Sequence, residues 1–200
     1  MGMALKHETL SESEYLESEE LAPRKREYVA GETYAMAGAS ARHNRISLNV
    51  ATKLDTAIRG TPCEVFIADM KVKVEAWRAF YYPDVMLVCP HPGDDHPLYR
   101  IGPCLIVEVL SPSTASIDER EKWLHYRDLP SLRYYLLIDS EKRHARIRSR
   151  ELGNLGGKDG GKDGAGWLEQ TLDEEDIVAL SCGPAHTTLC LDDLYERTGL

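Results

Sequence analysis

The stretch CLIVEVL, residues 104–110, constrains the fold more than any other feature of this sequence. Six of its seven residues are apolar, which is the pattern of a strand buried on both faces of a sheet. Glu108 interrupts the run, and an ionised carboxylate in an apolar strand is costly unless a cation meets it. The stretch therefore predicts a covered central strand whose glutamate has either a cationic partner or a functional role.

The alternation of strand and helix patterns predicts a mixed sheet covered by helices on both faces, an α/β or α+β architecture. Apolar residues recur at helical spacing over residues 11–20, 40–59, 116–129 and 191–199. Strand patterns cover residues 27–36, 63–75, 80–89, 104–111, 132–150, 166–172 and 176–180. The first of these is predicted to be a hairpin at Ala30 and Gly31, and 132–150 either a long strand or a hairpin turning at 139–142.

Length and composition favour one domain over residues 1–200, because 42% of the residues are apolar and can form a real core. Within it the sequence GNLGGKDGGKDGAG, residues 153–166, is predicted to be a flexible Gly-rich loop. It does not lie between a strand and a helix, as a phosphate-binding loop requires.

Charge and cysteine usage bound the environment of the protein. The formal net charge of −9 argues against non-specific coating of nucleic acid, although the basic stretch 141–150 leaves room for a positive face. The five scattered cysteines form no CxxC pair, which predicts free thiols in a reducing compartment rather than disulfides or a zinc site. No apolar run is long enough to span a membrane, and no signal peptide pattern opens the sequence, so a cytoplasmic location is expected.

Two carboxylates stand out as candidates for chemistry. Asp84 begins an apolar strand and Glu108 interrupts the next one, so neighbouring strands would bring both to one side of the sheet. Two such acids repel unless a cation shares the site, and Mg²⁺ or Mn²⁺ prefers carboxylate and carbonyl oxygens. Lys122 lies on the following helix, at helical spacing from Asp118 and Tyr126. Two acids and a lysine around a divalent ion are suited to phosphodiester hydrolysis.

These residues carry a family resemblance. The Pro-Asp at 83–84, EVLSPST from Glu108, the Asp, Lys and Tyr at 118, 122 and 126, and RYYLLID resemble the PD-(D/E)XK nuclease superfamily. With REYVAGETYAMAGASARHNRI they resemble, more narrowly, the Uma-two family of restriction endonucleases, over about residues 10–150.

The resemblance implies a restriction-endonuclease-like central mixed sheet flanked by helices and a metal-dependent nuclease acting on nucleic acid, with DNA expected. Asp84 and Glu108 would be metal ligands, helped by the carbonyl of Val109. The superfamily lysine would stand at Leu110, so its role passes to Lys122. Two residues of the N-terminal segment, Glu27 and His43, would line the cleft.

Simpler interpretations stand beside these. Glu108 can form a buried ion pair with Arg120 or Lys122, and Asp84 can bond nearby backbone amides. Lys122 can pair with Asp118 on an exposed helix face. His43 can simply occupy the first turn of its helix, and Glu27 can lie on a solvated surface. The loop that contains His91, Asp94, Asp95 and His96 can be a solvated turn. The alternating arginines Arg146, Arg148 and Arg150 can mark an exposed edge strand or contact phosphates.

The sequence thus predicts a Mg²⁺- or Mn²⁺-dependent endonuclease whose catalytic residues are Asp84, Glu108 and Lys122. A catalytically inactive nuclease-fold binding protein or mobile-element accessory protein is the alternative, and a structural protein with a salt-bridged Glu108 is a third. Cleavage of both strands by so small a chain would suggest a homodimer.

Overall fold

A computed structural model describes residues 9–90, 92–94, 96–112, 117–150, 162–163 and 166–200. Within these ranges the α-helices are α1 (Glu12–Glu20), α2 (Ala41–Ile58), α3 (Trp123–Tyr126) and α4 (Leu191–Tyr195). A 3₁₀ turn covers Glu75–Trp77, and a π-helical segment covers Ile117–Lys122. None of these helices is long and apolar enough to cross a membrane.

The strands of the described ranges form two sheets and a ribbon. The small sheet has the order β2-β1-β5-β4-β7, with bounds Glu32–Ala35, Arg26–Val29, Ala79–Tyr81, Lys71–Val74 and Tyr99–Arg100. The central sheet has the order β11-β12-β10-β9-β8-β6-β3, with bounds Lys162–Asp163, Trp167–Leu172, Ala145–Arg150, Tyr134–Asp139, Pro103–Leu110, Val85–Val88 and Glu64–Ile67. The terminal ribbon pairs β13 (Val178–Cys182) with β14 (Ala185–Leu189). The mixed α+β fold class predicted from the sequence is confirmed.

Strand β8 lies in the interior of the central sheet and explains the apolar run. It pairs antiparallel with β6 and parallel with β9, and all eight of its residues are buried. Leu105, Val107 and Val109 pack with α2, α4 and the terminal ribbon on one face. Ile106 and Leu110 pack on the other face against the small sheet and α3. Because side chains alternate along a strand, Glu108 belongs to this second face.

Two segments predicted as single strands each divide between the two sheets. Residues 63–75 form β3 and β4, and the chain changes sheet at Ala68, which has a left-handed φ of +48°. Residues 80–89 form β5 and β6, with Pro83, which has no N–H to offer a sheet, at the change. The two crossings meet, because the N–H of Ala68 donates to the carbonyl of Asp84 at 3.2 Å. The prediction of single strands was wrong, and the crossing places Asp84 at the junction of the sheets.

Of the other local predictions, some are confirmed and some are wrong. The hairpin at Ala30 and Gly31 is confirmed, with φ values of +50° and +107° there, and α2 begins after Ser40, whose hydroxyl accepts the N–H of His43. The predicted α-helix at 116–129 is π-helical before its single α-turn. The surface loop predicted before β8 contains β7, and β14 was not predicted. Most of the Gly-rich loop at 153–166 lies outside the described residues, apart from β11 and Gly166.

The arginines of β10 contact the protein itself. This strand lies between β9 and β12, so its prediction as an exposed edge was wrong, although the hairpin with β9 is confirmed. Arg146 and Arg148 bind the carboxylate of Glu169. Arg150 donates to the carbonyls of Arg127 and Leu129, at the end of the helical segment.

The cysteines overturn a second expectation. Cys63 is bonded to Cys89 and Cys104 to Cys182, and Cys190 is a free cysteine. The register that pairs β3 with β6 places the first two side by side, although 26 residues separate them in the sequence. The prediction of free thiols was wrong, because sequence spacing does not show which strands share an end of the sheet. The inference of a reducing compartment from free thiols loses its basis.

Candidate active site at the junction of the sheets

The two predicted carboxylates lie on neighbouring strands where the chain passes from the small sheet to the central sheet. Asp84 immediately precedes β6, and Glu108 lies near the end of β8. Val85 pairs with Val107, so continuing the antiparallel register by one residue brings Asp84 opposite Glu108. The expectation that neighbouring strands carry the two acids therefore agrees with the register.

Asp84 is held by a backbone amide and a histidine. Its Oδ2 accepts the N–H of Val109 at 2.7 Å and lies 3.2 Å from Nε2 of His43. The first turn of α2 presents this histidine, so His43 does more than open its helix. Within the described residues the second oxygen of Asp84, Oδ1, makes no hydrogen bond.

Glu108 meets the cation that its burial requires. Only 3% of this residue is exposed, and its Oε1 lies 3.4 Å from Nζ of Lys122. The same oxygen accepts the hydroxyl of Tyr126 at 3.0 Å. The ion pair agrees with the catalytic interpretation and equally with the simpler interpretation of a buried salt bridge. The neighbouring Asp84 is what distinguishes the site from an isolated pair.

Lys122 joins two acids from different sheets. Its ammonium lies 2.8 Å from Oε1 of Glu27, which β1 of the small sheet supplies, as well as close to Glu108. Glu27 is therefore a partly buried member of the site and not a solvated surface residue. Its Oε1 is buried and makes no hydrogen bond of ordinary geometry within the described residues, despite the close ion pair. The side chain of Asp118, the other predicted partner of Lys122, lies outside the described residues.

Two tyrosines, Tyr126 and Tyr81, lie close to Lys122 and Glu108. Burial, and then the carboxylate of Glu108, hold the pKa of Tyr126 well above its usual value, so its hydroxyl stays protonated and donates. The ring of Tyr81 lies 5.7 Å from Nζ of Lys122, and burial and Glu27 also raise the pKa of this tyrosine. Its hydroxyl is 2.6 Å from Nδ1 of His125, whose pKa burial lowers. Sequence reasoning noted the spacing of Tyr126 but did not assign it to the site, and nothing in the sequence singled out Tyr81.

The loop before β7 does not contribute to this site. Both oxygens of Asp94 accept backbone N–H groups, from Ile101 and Gly102, and His96 stacks on Tyr99. These two residues therefore support a turn rather than a metal site, and His91 and Asp95 lie outside the described residues.

The oxygen atoms at the junction of the sheets are of the type that a hard divalent ion prefers as ligands. Asp84 and Glu108 offer carboxylate oxygens. In a strand the N–H and carbonyl of one residue face the same neighbour, so the carbonyl of Val109 is expected on the side where its N–H meets Asp84. Among the described residues no three His, Cys, Asp or Glu side chains converge as a metal-binding group. A metal here would thus depend on the two carboxylates, a backbone carbonyl and water.

The fold matches that of a solved structure over nearly its whole length. The protein is similar to the crystal structure of "a putative nuclease belonging to DUF820" from Anabaena variabilis, with a TM-score of 0.68 and 14% sequence identity. The similarity covers 94% of this chain and 99% of the other. At this level of identity the likeness establishes the architecture, and the class of the protein is a mixed α+β fold.

The sequence comparison narrows the class to a family. The model of the Uma2 family, described as "Putative restriction endonuclease", matches residues 12–164, and the chain belongs to this family. An uncharacterized protein of Synechocystis is 40% identical over 132 residues, which is 65% of this chain and 75% of the relative. A second uncharacterized Synechocystis protein is 37% identical over 131 residues, 66% of this chain and 69% of the relative. The family predicted from the sequence motifs is confirmed.

Proposed function

We propose that this protein is a metal-dependent endonuclease that hydrolyses phosphodiester bonds of DNA, with Mg²⁺ or Mn²⁺ as its metal. The observation that carries the proposal is the Glu108–Lys122 pair beside Asp84 on the neighbouring strand. The family model, described as "Putative restriction endonuclease", supports the same reaction class. Cutting both strands of a duplex would be served by a homodimer.

Each residue has a distinct part in the proposed reaction. Asp84, Glu108 and the carbonyl of Val109 would hold the divalent ion, which would lower the pKa of a bound water and neutralise phosphate charge. Lys122 orients the attacking water or donates to the oxygens of the phosphate as negative charge develops there. Glu27 and Tyr126 hold the ammonium and the carboxylate in place, and His43 positions Asp84.

The test is nicking of supercoiled plasmid DNA in Mg²⁺ by purified Asp84→Asn and Glu108→Gln variants. Both substitutions keep the side-chain shape and remove a charged ligand, so we expect cleavage to fall by roughly 100-fold or more, the scale on which one electrostatic contribution to catalysis is lost. Asp55→Asn, an exposed acid of α2, is the control and should cleave normally. Thermal unfolding verifies that the variants fold. Undiminished cleavage by both variants would exclude this site.

One observation favours the alternative of a nuclease-fold binding protein without catalysis. Glu108 is buried and already bound to Lys122 and Tyr126, and the superfamily lysine position is the buried Leu110. Calorimetry with Mg²⁺ and Mn²⁺ separates the two functions. If the native protein binds either ion and Asp84→Asn abolishes that binding, the endonuclease is supported. If the native protein binds neither ion, the alternative is supported. A thermal midpoint insensitive to both ions would further favour a purely structural ion pair.

A further inference from the structure

A basic cavity opens beside the candidate site, at the start of α2. Its volume is about 640 Å³, and it lies between the first turn of α2, the β9–β10 turn and the segment after α4. Its lining includes Ser40, Arg42, Arg45, Glu141, Arg197 and Thr198. Three arginines therefore face one acid, in a chain whose formal net charge is −9.

The three arginines differ in how far the protein itself occupies them. Arg42 donates to the carbonyl of Ser140 at 3.2 Å and to Glu141 at 3.0 Å, so its guanidinium is fixed and its charge is balanced. Among the described residues Arg45 makes no hydrogen bond or ion pair, and Arg197 forms an ion pair with Glu196 alone, at 3.4 Å and in an exposed position. The donors of Arg45 and Arg197 are thus available to an external acceptor.

Two short connections join the cavity to the carboxylates. In the first turn of α2, His43 follows Arg42 and lies 3.2 Å from Asp84. Next to the lining residue Glu141, the N–H of Ser140 donates to the carbonyl of Leu110 at 3.0 Å, two residues after Glu108. The cavity therefore lies at the same end of the central sheet as the candidate site.

We propose that this cavity binds a backbone phosphate of the DNA strand that is cleaved at Asp84 and Glu108. The inference rests on the proposed function and names where the substrate backbone runs. Guanidinium groups bind phosphate oxygens through paired hydrogen bonds, and such contacts supply much of the affinity for DNA. Phosphate contacts also set the register of a protein on its duplex, so the cavity would position the scissile phosphate.

The test measures binding apart from cleavage, with the full chain and a fluorescent DNA duplex in EDTA at several salt concentrations. Arg45→Gln and Arg197→Gln should each weaken binding about 3- to 10-fold and reduce the slope of log affinity against log salt by about 1. Cleavage in Mg²⁺ at subsaturating DNA should fall by a similar factor. Arg59→Gln is the matched control, because Arg59 is exposed at the other end of α2.

Each outcome decides between the proposals. Unchanged affinity and slope in both arginine variants, with normal cleavage by the native protein, overturn the cavity proposal alone. An equal loss in Arg59→Gln also overturns it, because total charge would then explain the effect. Arginine-dependent binding without any cleavage supports the cavity and overturns the proposed endonuclease. Absence of both DNA binding and cleavage by the native protein overturns both.

Discussion

The two ends of the central sheet are held together by different interactions. Strand β6 has Asp84 before its first residue and Cys89 after its last, and β8 has Cys104 at its start and Glu108 near its end. At one end, therefore, charged groups are held together by ion pairs and hydrogen bonds. At the other end, disulfides join the same two strands to β3 and to the terminal ribbon.

The disulfide end contributes to stability, whereas the charged end carries the proposed chemistry. A disulfide constrains the unfolded chain and costs nothing in desolvation. A buried ion pair is weak evidence for stability, because taking charges from water offsets their attraction. The disulfide end thus ties β6 to β3 and β8 to the terminal ribbon, and the charged end keeps groups whose retention a folded core alone does not require.

The largest expected effect is on the disulfide end. Reduction of both disulfides should lower the free energy of unfolding by about 4–8 kcal/mol, since each contributes roughly 2–4 kcal/mol through the unfolded state. Urea unfolding with and without a thiol reductant measures the difference. Cys190→Ser, which removes the free cysteine, should leave that difference unchanged. Identical unfolding midpoints in both conditions would show that this end is not covalently held.

On the charged end, Lys122→Met should cost about 3–5 kcal/mol of folding free energy, because Glu108 and Glu27 would lose their buried cation. Adding Glu108→Gln should restore part of the loss by removing one uncompensated charge. The control is Lys53→Met, which breaks the more exposed pair with Asp193 and should cost less than about 1 kcal/mol. Equal losses in the two lysine variants, measured by urea unfolding, would contradict a buried triad.

A smaller effect is expected from Tyr126→Phe. The substitution keeps the ring and removes the hydroxyl that donates to Glu108, and hydrogen bonds to charged groups contribute roughly 1.5–3 kcal/mol. Tyr34→Phe removes a hydroxyl that donates to Glu32 on the surface and should change stability very little. If the two variants unfold alike, Tyr126 does not support the site in this way.

The smallest effect concerns pH. Burial lowers the pKa of His125, so below the unfolded value of about 6.5 the unfolded chain takes up the proton first. Stability from this residue is therefore present above that pH and is lost as the pH falls toward the lowered value. The decline between pH 7 and 5 should be shallower in His125→Gln, whose amide oxygen can still accept from Tyr81. Parallel pH profiles would indicate that His125 titrates normally.

Sequence reasoning found the charged end and missed the disulfide end for one physical reason. Glu108 breaks a local apolar pattern, and burial makes such a break costly enough to interpret without knowing the fold. The cysteines break no pattern, because a buried thiol suits an apolar strand. Their pairing depends on which strand ends meet, as does the ion pair between Glu27 and Lys122, which lie 95 residues apart. The β3–β4 and β5–β6 crossings were missed because side chains that alternate with a period of two indicate a strand but do not show to which sheet the strand belongs.

The sequence by itself determined the fold class, the covered strand β8 and the two carboxylates as candidates, because apolar periodicity and the cost of burying charge act over a few residues. Its motifs carried the resemblance that identified the family. The tertiary structure decided the rest. It carried the chain between two sheets at Asp84, brought Glu27 and His43 to the site, paired four cysteines and placed three arginines around one cavity. These contacts join residues far apart in the chain, and only the packing of sheets and helices sets which of them meet.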